Sequence, residues 1–201
     1  MLEDCTAIIL AGGDSQRMGS DKANLLLGEQ TLLQRVIAAM QQVFPHVIVS
    51  VRQPRPEIKL PQVCDEQAGE GIRGGGPLAG LAAALDQITT PWAFVVACDM
   101  PFVEPAMIEL LASYRGDYQA VVPVVRGHLQ PLAAYYAGNC LGTLRAHLAD
   151  GGKNSLRALL ERLRVRYVDE SALLSADPAL RSFCDLDTPQ DMEIAIKGFN
   201  G

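Results

Sequence analysis

Apolar residues along this chain switch repeatedly between two spacings. Thr6 to Leu10 is a short, unbroken β-leaning run that stops at Ala11-Gly12-Gly13, as a buried strand does on meeting a glycine loop. Leu32, Leu33, Val36, Ile37, Met40, Val43 and Phe44 then recur at helical spacing, and Pro45 closes the run. Val47 to Val51 predicts a second strand. Pro77 to Leu85 predicts a helix, with the proline in a favoured first position and Leu78, Leu81, Ala82 and Leu85 on one face. A third strand is predicted at Ala93 to Cys98 and a third helix at Pro105 to Tyr114, with Met107, Ile108 and Leu111 facing inward. The later pattern is less regular. It predicts strands at Ala120 to Val125, Leu132 to Tyr136 and Val165 to Val168, and helices after Asn139, after Lys153 and after Pro189. Strands alternating with helices imply an α/β fold, a mainly parallel sheet covered on both faces.

The chain has 201 residues and shows no repeat, low-complexity tract or linker, so a single domain is expected. With 17 Lys and Arg against 23 Asp and Glu the formal net charge is -6, which argues against nucleic acid or an anionic membrane as a partner. Any anionic ligand has to be met by a local cluster of positive charge. No apolar run reaches the length of a membrane span and the first residues lack a basic leader pattern, so a cytoplasmic protein is expected. Five scattered cysteines without a CxxC pair read as reduced thiols in or near the core. His46, His128 and His147 show no ligand spacing, and Arg157, Arg162, Arg164 and Arg166 read as a solvated helix face that could also meet a second anion.

The segment with most chemistry runs from Leu10 to Lys22. Gly12 and Gly13, following a strand, let backbone N–H groups approach a phosphate, and Arg17 and Lys22 supply positive charge. No GK[ST] closes the glycine run, so this is not a Walker A loop. A GxGxxG pattern at Gly69 to Gly74 does not directly follow a strand or open a helix, and reads better as a mobile loop leading into Gly76-Pro77. Asp65, after the strand-like Gln62 to Cys64, is either a loop cap or an acceptor for a base edge or ribose hydroxyl. Asp99 follows an apolar strand, so its carboxylate emerges at the carboxyl edge of the sheet. There it either caps a helix or holds Mg²⁺.

With these residues in view, the chain resembles the molybdenum cofactor guanylyltransferases, the MobA-like branch of the nucleotidyltransferases. The resemblance spans nearly the whole length: LAGGDSQRMGSDK at 10–22, LLQRV at 32–36, GPLAG at 76–80, CDMPF at 98–102, QPLAAYY at 130–136 and DLDTPQDM at 185–192. It implies a three-layer, Rossmann-like nucleotide-diphospho-sugar-transferase fold with a mainly parallel mixed sheet. Residues 1–105 or so would bind nucleotide, and the remainder to 201 the acceptor. It further implies transfer of GMP from Mg-GTP to the terminal phosphate of molybdopterin, with pyrophosphate released and the product passed to molybdoenzymes or their chaperones. Carried over by position, Leu10, Ala11 and Gly12 contact nucleotide through the backbone, Lys22 holds phosphate, Asp65 recognises the nucleoside and Asp99 binds Mg²⁺.

The attacking phosphate oxygen is already anionic, so the expected reaction needs no general base and rests on positioning and charge neutralisation by Lys22, Arg17 and the ion at Asp99. Two positions depart from the family pattern. Ser50 stands where some relatives have Asn, and Asp185 and Asp187 flank Leu186 where the family motif often has asparagines. The competing functions are a cytidylyltransferase or another nucleotidyltransferase of this fold with a different phosphorylated acceptor, and a non-catalytic carrier of the cofactor.

Overall fold

The computed structural model describes residues 1–12, 22–64, 76–150, 155–186, 188, 190–193 and 195. The strands are β1 (Cys5–Leu10), β2 (Leu26–Leu27), β3 (Gln30–Thr31), β4 (His46–Val51), β5 (Gln62–Cys64), β6 (Trp92–Ala97), β7 (Ala120–Val125), β8 (His128–Leu129), β9 (Ala133–Ala137) and β10 (Val165–Asp169). The helices are α1 (Leu32–Val43), α2 (Pro77–Leu85), α3 (Pro105–Ala112), α4 (Leu141–Ala149), α5 (Leu156–Leu160) and α6 (Glu170–Leu173). Residues 190–193 and 195 are also helical.

Seven strands form one path in the order β10-β7-β9-β6-β1-β4-β5, with β8 hydrogen-bonded to β7. β1 lies in parallel between β4 and β6, while β9 runs antiparallel to both β6 and β7. The sheet is therefore mixed, parallel from β5 to β6, with β9 reversed within the path and the short β8 antiparallel to β7 beside it.

Strand side chains alternate between two cores, as the period of two requires. Ala7, Ile9, Phe94, Val96, Val121 and Tyr135 join α1 and α3 on one face. Ile8, Ala93, Val95, Val122, Ala134 and Tyr136 join α2, α4 and α5 on the other. Helix, sheet and helix make three layers. Each fully buried Ile, Leu or Phe contributes about 1.5–3 kcal/mol, so these faces fix the register of every strand. On the first face Phe44, Phe94 and Tyr135 cluster, with the Phe94 and Tyr135 centroids 5.0 Å apart. The Tyr135 hydroxyl donates to the Ile108 carbonyl at 3.1 Å, satisfying a fully buried polar atom.

Local chemistry sets the helix starts. Thr31 and Gln34 form a reciprocal capping box at α1. α2 opens with Pro77 after Gly76, whose φ of 122° is open to glycine and strained for other residues. The spacing predicted one buried face for α2, but every residue from Leu78 to Leu85 is buried. Its Ala and Gly positions let it lie tightly between the sheet and α4. The short β2–β3 hairpin, β8 and α6 are additions to the elements the sequence pattern predicts.

Other expectations divide. All five cysteines are free thiols, but Cys184 is exposed. His147 is buried whereas His46 and His128 are exposed. The four arginines do not share a helix face, for only Arg157 is on a helix and Arg166 is on β10. No helix among the described residues is long and apolar enough to cross a membrane.

Candidate active site at the carboxyl edge of the sheet

Three strands deliver their carboxyl ends side by side. Leu10 is in register with Ser50 of β4 and Ala97 of β6. Beyond it, the Ala11 N–H donates to the Ser50 carbonyl at 2.8 Å, and the Cys98 N–H donates to the Leu10 carbonyl at 3.1 Å. The chain is thereby held extended through Ala11, which is buried, to Gly12, which is half-buried. Ser50 itself is buried, and its carbonyl anchors the start of the glycine segment.

Two charged side chains predicted from far-apart motifs meet here. Lys22 opens a short 3-10 turn, Lys22–Asn24, pinned by buried Ala23 and by the Leu25 N–H donating to the Lys22 carbonyl at 3.1 Å. Asp99 sits in the turn after β6, ahead of α3, and α3 takes Glu104 as its N-cap residue, so Asp99 is no cap of that helix. Lys22 Nζ donates to Asp99 Oδ2 at 3.3 Å, and each side chain is 17% exposed. The pair is sheltered yet open enough for solvent and ligand to reach it. Gly13, Arg17 and Asp65 lie outside the described residues, as do Asp187 and the Gly69 to Gly74 pattern.

The chain after β6 is tied down from the C-terminal segment. The Leu186 N–H donates to the Asp99 carbonyl at 3.0 Å. The Glu104 N–H donates to Ser182 Oγ at 3.1 Å, and the Ser182 N–H donates to Asp177 Oδ2 at 2.7 Å. The Arg181 guanidinium lies 4.7 Å from the centre of the Phe102 ring, a cation–π contact. Of these supporting residues Phe102 and Leu186 lie in the CDMPF and DLDTPQDM motifs, while Glu104, Asp177, Arg181 and Ser182 do not stand out in the sequence; the Thr-Pro-x-Asp pattern at 188–191 marks a helix start. That pattern does cap: Thr188 Oγ1 donates to Asp191 Oδ2 at 2.7 Å, and the Asp191 N–H donates back to Thr188 Oγ1 at 3.2 Å. Asp185 is exposed beside buried Leu186.

A cavity of about 330 Å³ is lined by Pro77 and Leu78 of α2, Pro131, and Ser155, Leu156 and Arg157 at the start of α5. The Ala97 N–H donates to the Leu132 carbonyl at 3.2 Å, so Pro131 is on the same edge as Asp99. Cavities of about 430 and 500 Å³ lie at the other edge, beside Thr6, His46 and Trp92 where the parallel strands begin. Open α/β sheets place their ligands at the carboxyl ends of the strands, so position outweighs size here.

Among the described residues no group of three or more His, Cys, Asp or Glu side chains converges. Among those residues the donor offered to an ion at this edge is the Asp99 carboxylate, to which the phosphate oxygens of a ligand would add. Mg²⁺, which takes one or two carboxylates together with phosphate oxygens, fits that donor set.

The chain as a whole is similar to known proteins. The chain is 32% identical over 196 residues to the "Molybdenum cofactor guanylyltransferase" of Desulfosudis oleivorans, covering 96% of this chain and 95% of that one. It is 36% identical over 193 residues to the "Probable molybdenum cofactor guanylyltransferase" of Pelotomaculum thermopropionicum, covering 93% and 89%. The crystal structure of molybdopterin-guanine dinucleotide biosynthesis protein A from Archaeoglobus fulgidus superposes with a TM-score of 0.84 at 26% identity, over 97% of this chain and 98% of that chain. The family model described as the MobA-like NTP transferase domain matches residues 7–167, and the chain belongs to that family.

Proposed function

We propose that this protein transfers GMP from GTP to the terminal phosphate of molybdopterin, forming the guanine dinucleotide form of the cofactor and releasing pyrophosphate. The observation that carries this reading is the Lys22–Asp99 pair at the carboxyl edge, a cation for phosphate and a carboxylate for a divalent ion 3.3 Å apart. Full-length similarity to chains named as molybdenum cofactor guanylyltransferases selects the substrates.

Nucleotide would lie across the ends of β1, β4 and β6, with Leu10, Ala11, Gly12 and Gly13 offering backbone contacts and Asp65 the base or ribose. Lys22 and Arg17 would neutralise phosphate oxygens, and Asp99 would hold Mg²⁺. The ion, when bound, supplies charge neutralisation on the phosphates. The acceptor has a place in the cavity between α2 and α5, where Pro77, Leu78, Pro131 and Leu156 offer apolar surface for a flat ring and Arg157 meets an anion. Apart from Pro77 and Leu78, which α2 lends to the acceptor cavity, residues up to about 105 serve the nucleotide and the rest serve the acceptor. Held in line with the α-phosphorus, the anionic acceptor oxygen attacks without a base, and the chain's work is to orient two anions and offset their charge. The setting is the cytoplasm, and the product passes to molybdoenzymes or their chaperones.

The test is pyrophosphate release from purified protein with Mg²⁺ and molybdopterin, comparing GTP, CTP and ATP. Release selective for GTP is expected. Release selective for CTP would overturn the guanylyl assignment and keep the reaction class. GTP binding without release from any nucleotide would point to a carrier or to a different acceptor.

A further inference from the structure

Leu186 is linked to both halves of the charged pair, directly to the Asp99 backbone and, through a shared apolar core, to the segment that follows Lys22. Its N–H donates to the Asp99 carbonyl at 3.0 Å. Its side chain, 3% exposed, packs with Leu27 and Leu32 in a small third core that also takes in Leu25, Phe102 and Met192. Leu25 in turn closes the Lys22 turn through its N–H, and the Leu32 N–H donates to the Leu25 carbonyl at 2.9 Å. The Arg35 guanidinium locks the same platform, donating to the Leu27 carbonyl from Nε at 2.9 Å and Nη2 at 2.7 Å. On the other side, the Thr188–Asp191 cap and the Met192 N–H donating to the Thr188 carbonyl fix the direction in which the chain leaves Leu186.

The geometry points to Leu186 as a positioning residue that sets the Asp99 carboxylate relative to Lys22 and so tunes the affinity of the site for its divalent ion. This inference rests on the functional reading above, in which Asp99 holds that ion. The physical basis is leverage. Asp99 follows its strand in a turn, where a carboxylate has more freedom than on a strand. Its own carbonyl and the platform beneath Lys22 are joined through one buried leucine, so a shift of that leucine changes the separation of the two charges. Outer groups that orient a metal ligand matter in just this way: their loss weakens binding of the ion while the ligand stays in place. Asp185, on one side of it, is exposed, so the buried position in this segment belongs to Leu186.

The experiment compares the full chain with Leu186→Ala, Leu186→Val and Leu186→Met. Mn²⁺ binding in the presence of GTP is followed by electron paramagnetic resonance, which needs no turnover, and the metal dependence of pyrophosphate release is measured beside it. Folding is checked by urea denaturation. Leu186→Ala is expected to raise the half-saturating metal concentration about tenfold, with a smaller change in kcat at saturating metal. Leu186→Val should shift it in the same direction by less, and Leu186→Met, which refills the volume, should restore it. A folded Ala variant with the parent's half-saturation overturns the proposal, and where Ala does not fold the same result with Val does so. A parent chain that binds GTP but no ion would instead remove the metal role of Asp99, and with it the functional reading.

Discussion

Replacing Asp99 by Asn separates catalysis from folding. Asn keeps the shape of the side chain and an oxygen able to accept from Lys22, and removes only the charge. At 3.3 Å the Lys22–Asp99 attraction is ~1.3 kcal/mol at the dielectric of water and ~5 kcal/mol at an effective dielectric near 20. Both side chains are 17% exposed, so desolvation offsets most of that gain, and the net loss of stability is expected to be about 1–2 kcal/mol. The effect on turnover is of another size. Without a carboxylate to hold the ion, several kcal/mol of charge stabilisation are lost; ~4 kcal/mol is about a thousandfold in rate. Binding of metal-free GTP moves the opposite way, because a negative charge near the triphosphate is gone, and it should stay equal or tighten. The assay pairs single-turnover pyrophosphate release and metal-free GTP titration with urea denaturation of the same preparation. An Asn variant retaining more than about a tenth of parental turnover would refute the metal role. So would activity that falls only in step with the folded fraction.

Two further outcomes follow from the fold. Burial pushes the Cys5 and Cys140 thiols up to about 12, with the Arg115 guanidinium acting against burial at Cys5, and burial raises the Tyr135 and Tyr136 hydroxyls as well. The folded form keeps these protons where the unfolded form releases them, so the stability they contribute is whole below about pH 8.5 and is lost as pH rises toward 12. Each thiol contributes a slope of about 1.4 kcal/mol per pH unit; urea midpoints at pH 8, 9.5 and 10.5 should fall steadily, and a flat series would contradict the buried thiols. Gly76→Ala meets no atom within 4 Å of the added Cβ, so its cost is conformational, about 1–3 kcal/mol from the φ of 122°. A thermal melt with unchanged Tm would show that the turn into α2 accommodates Ala.

The sequence is easiest to read where burial is one-sided or complete over a whole element. Cys5–Leu10, Trp92–Ala97 and Ala120–Val125 are continuous apolar runs because helices cover both faces of those strands, and predicted bounds fall within a residue or so of the observed ones. β2, β3 and β8 have two residues each, too few for any period to register. The reversed direction of β9 leaves no trace in composition, because a strand between two strands buries the same side chains either way. At the site, Asp99 was legible as a carboxylate at the end of an apolar run, and Lys22 as a positive charge in the glycine segment that follows β1. The part played by Leu186 was not, since the DLDTPQDM motif contains it without marking it, and its role depends on a backbone N–H that every residue but proline possesses.

The place of β9 bears on how the chain folds as it is synthesised. β6 and β7 follow one another in sequence but are never neighbours in the sheet, for β9 comes between them. As synthesis proceeds, β5, β4, β1 and β6 can assemble first, leaving the β6 edge with its backbone groups and the buried run Ala93 to Val96 uncovered. β7 cannot cap that edge when it emerges. Only when Ala133–Ala137 has been made can one strand close β6 and seat β7 at the same time, and β10, made later still, then adds in parallel to the far side of β7.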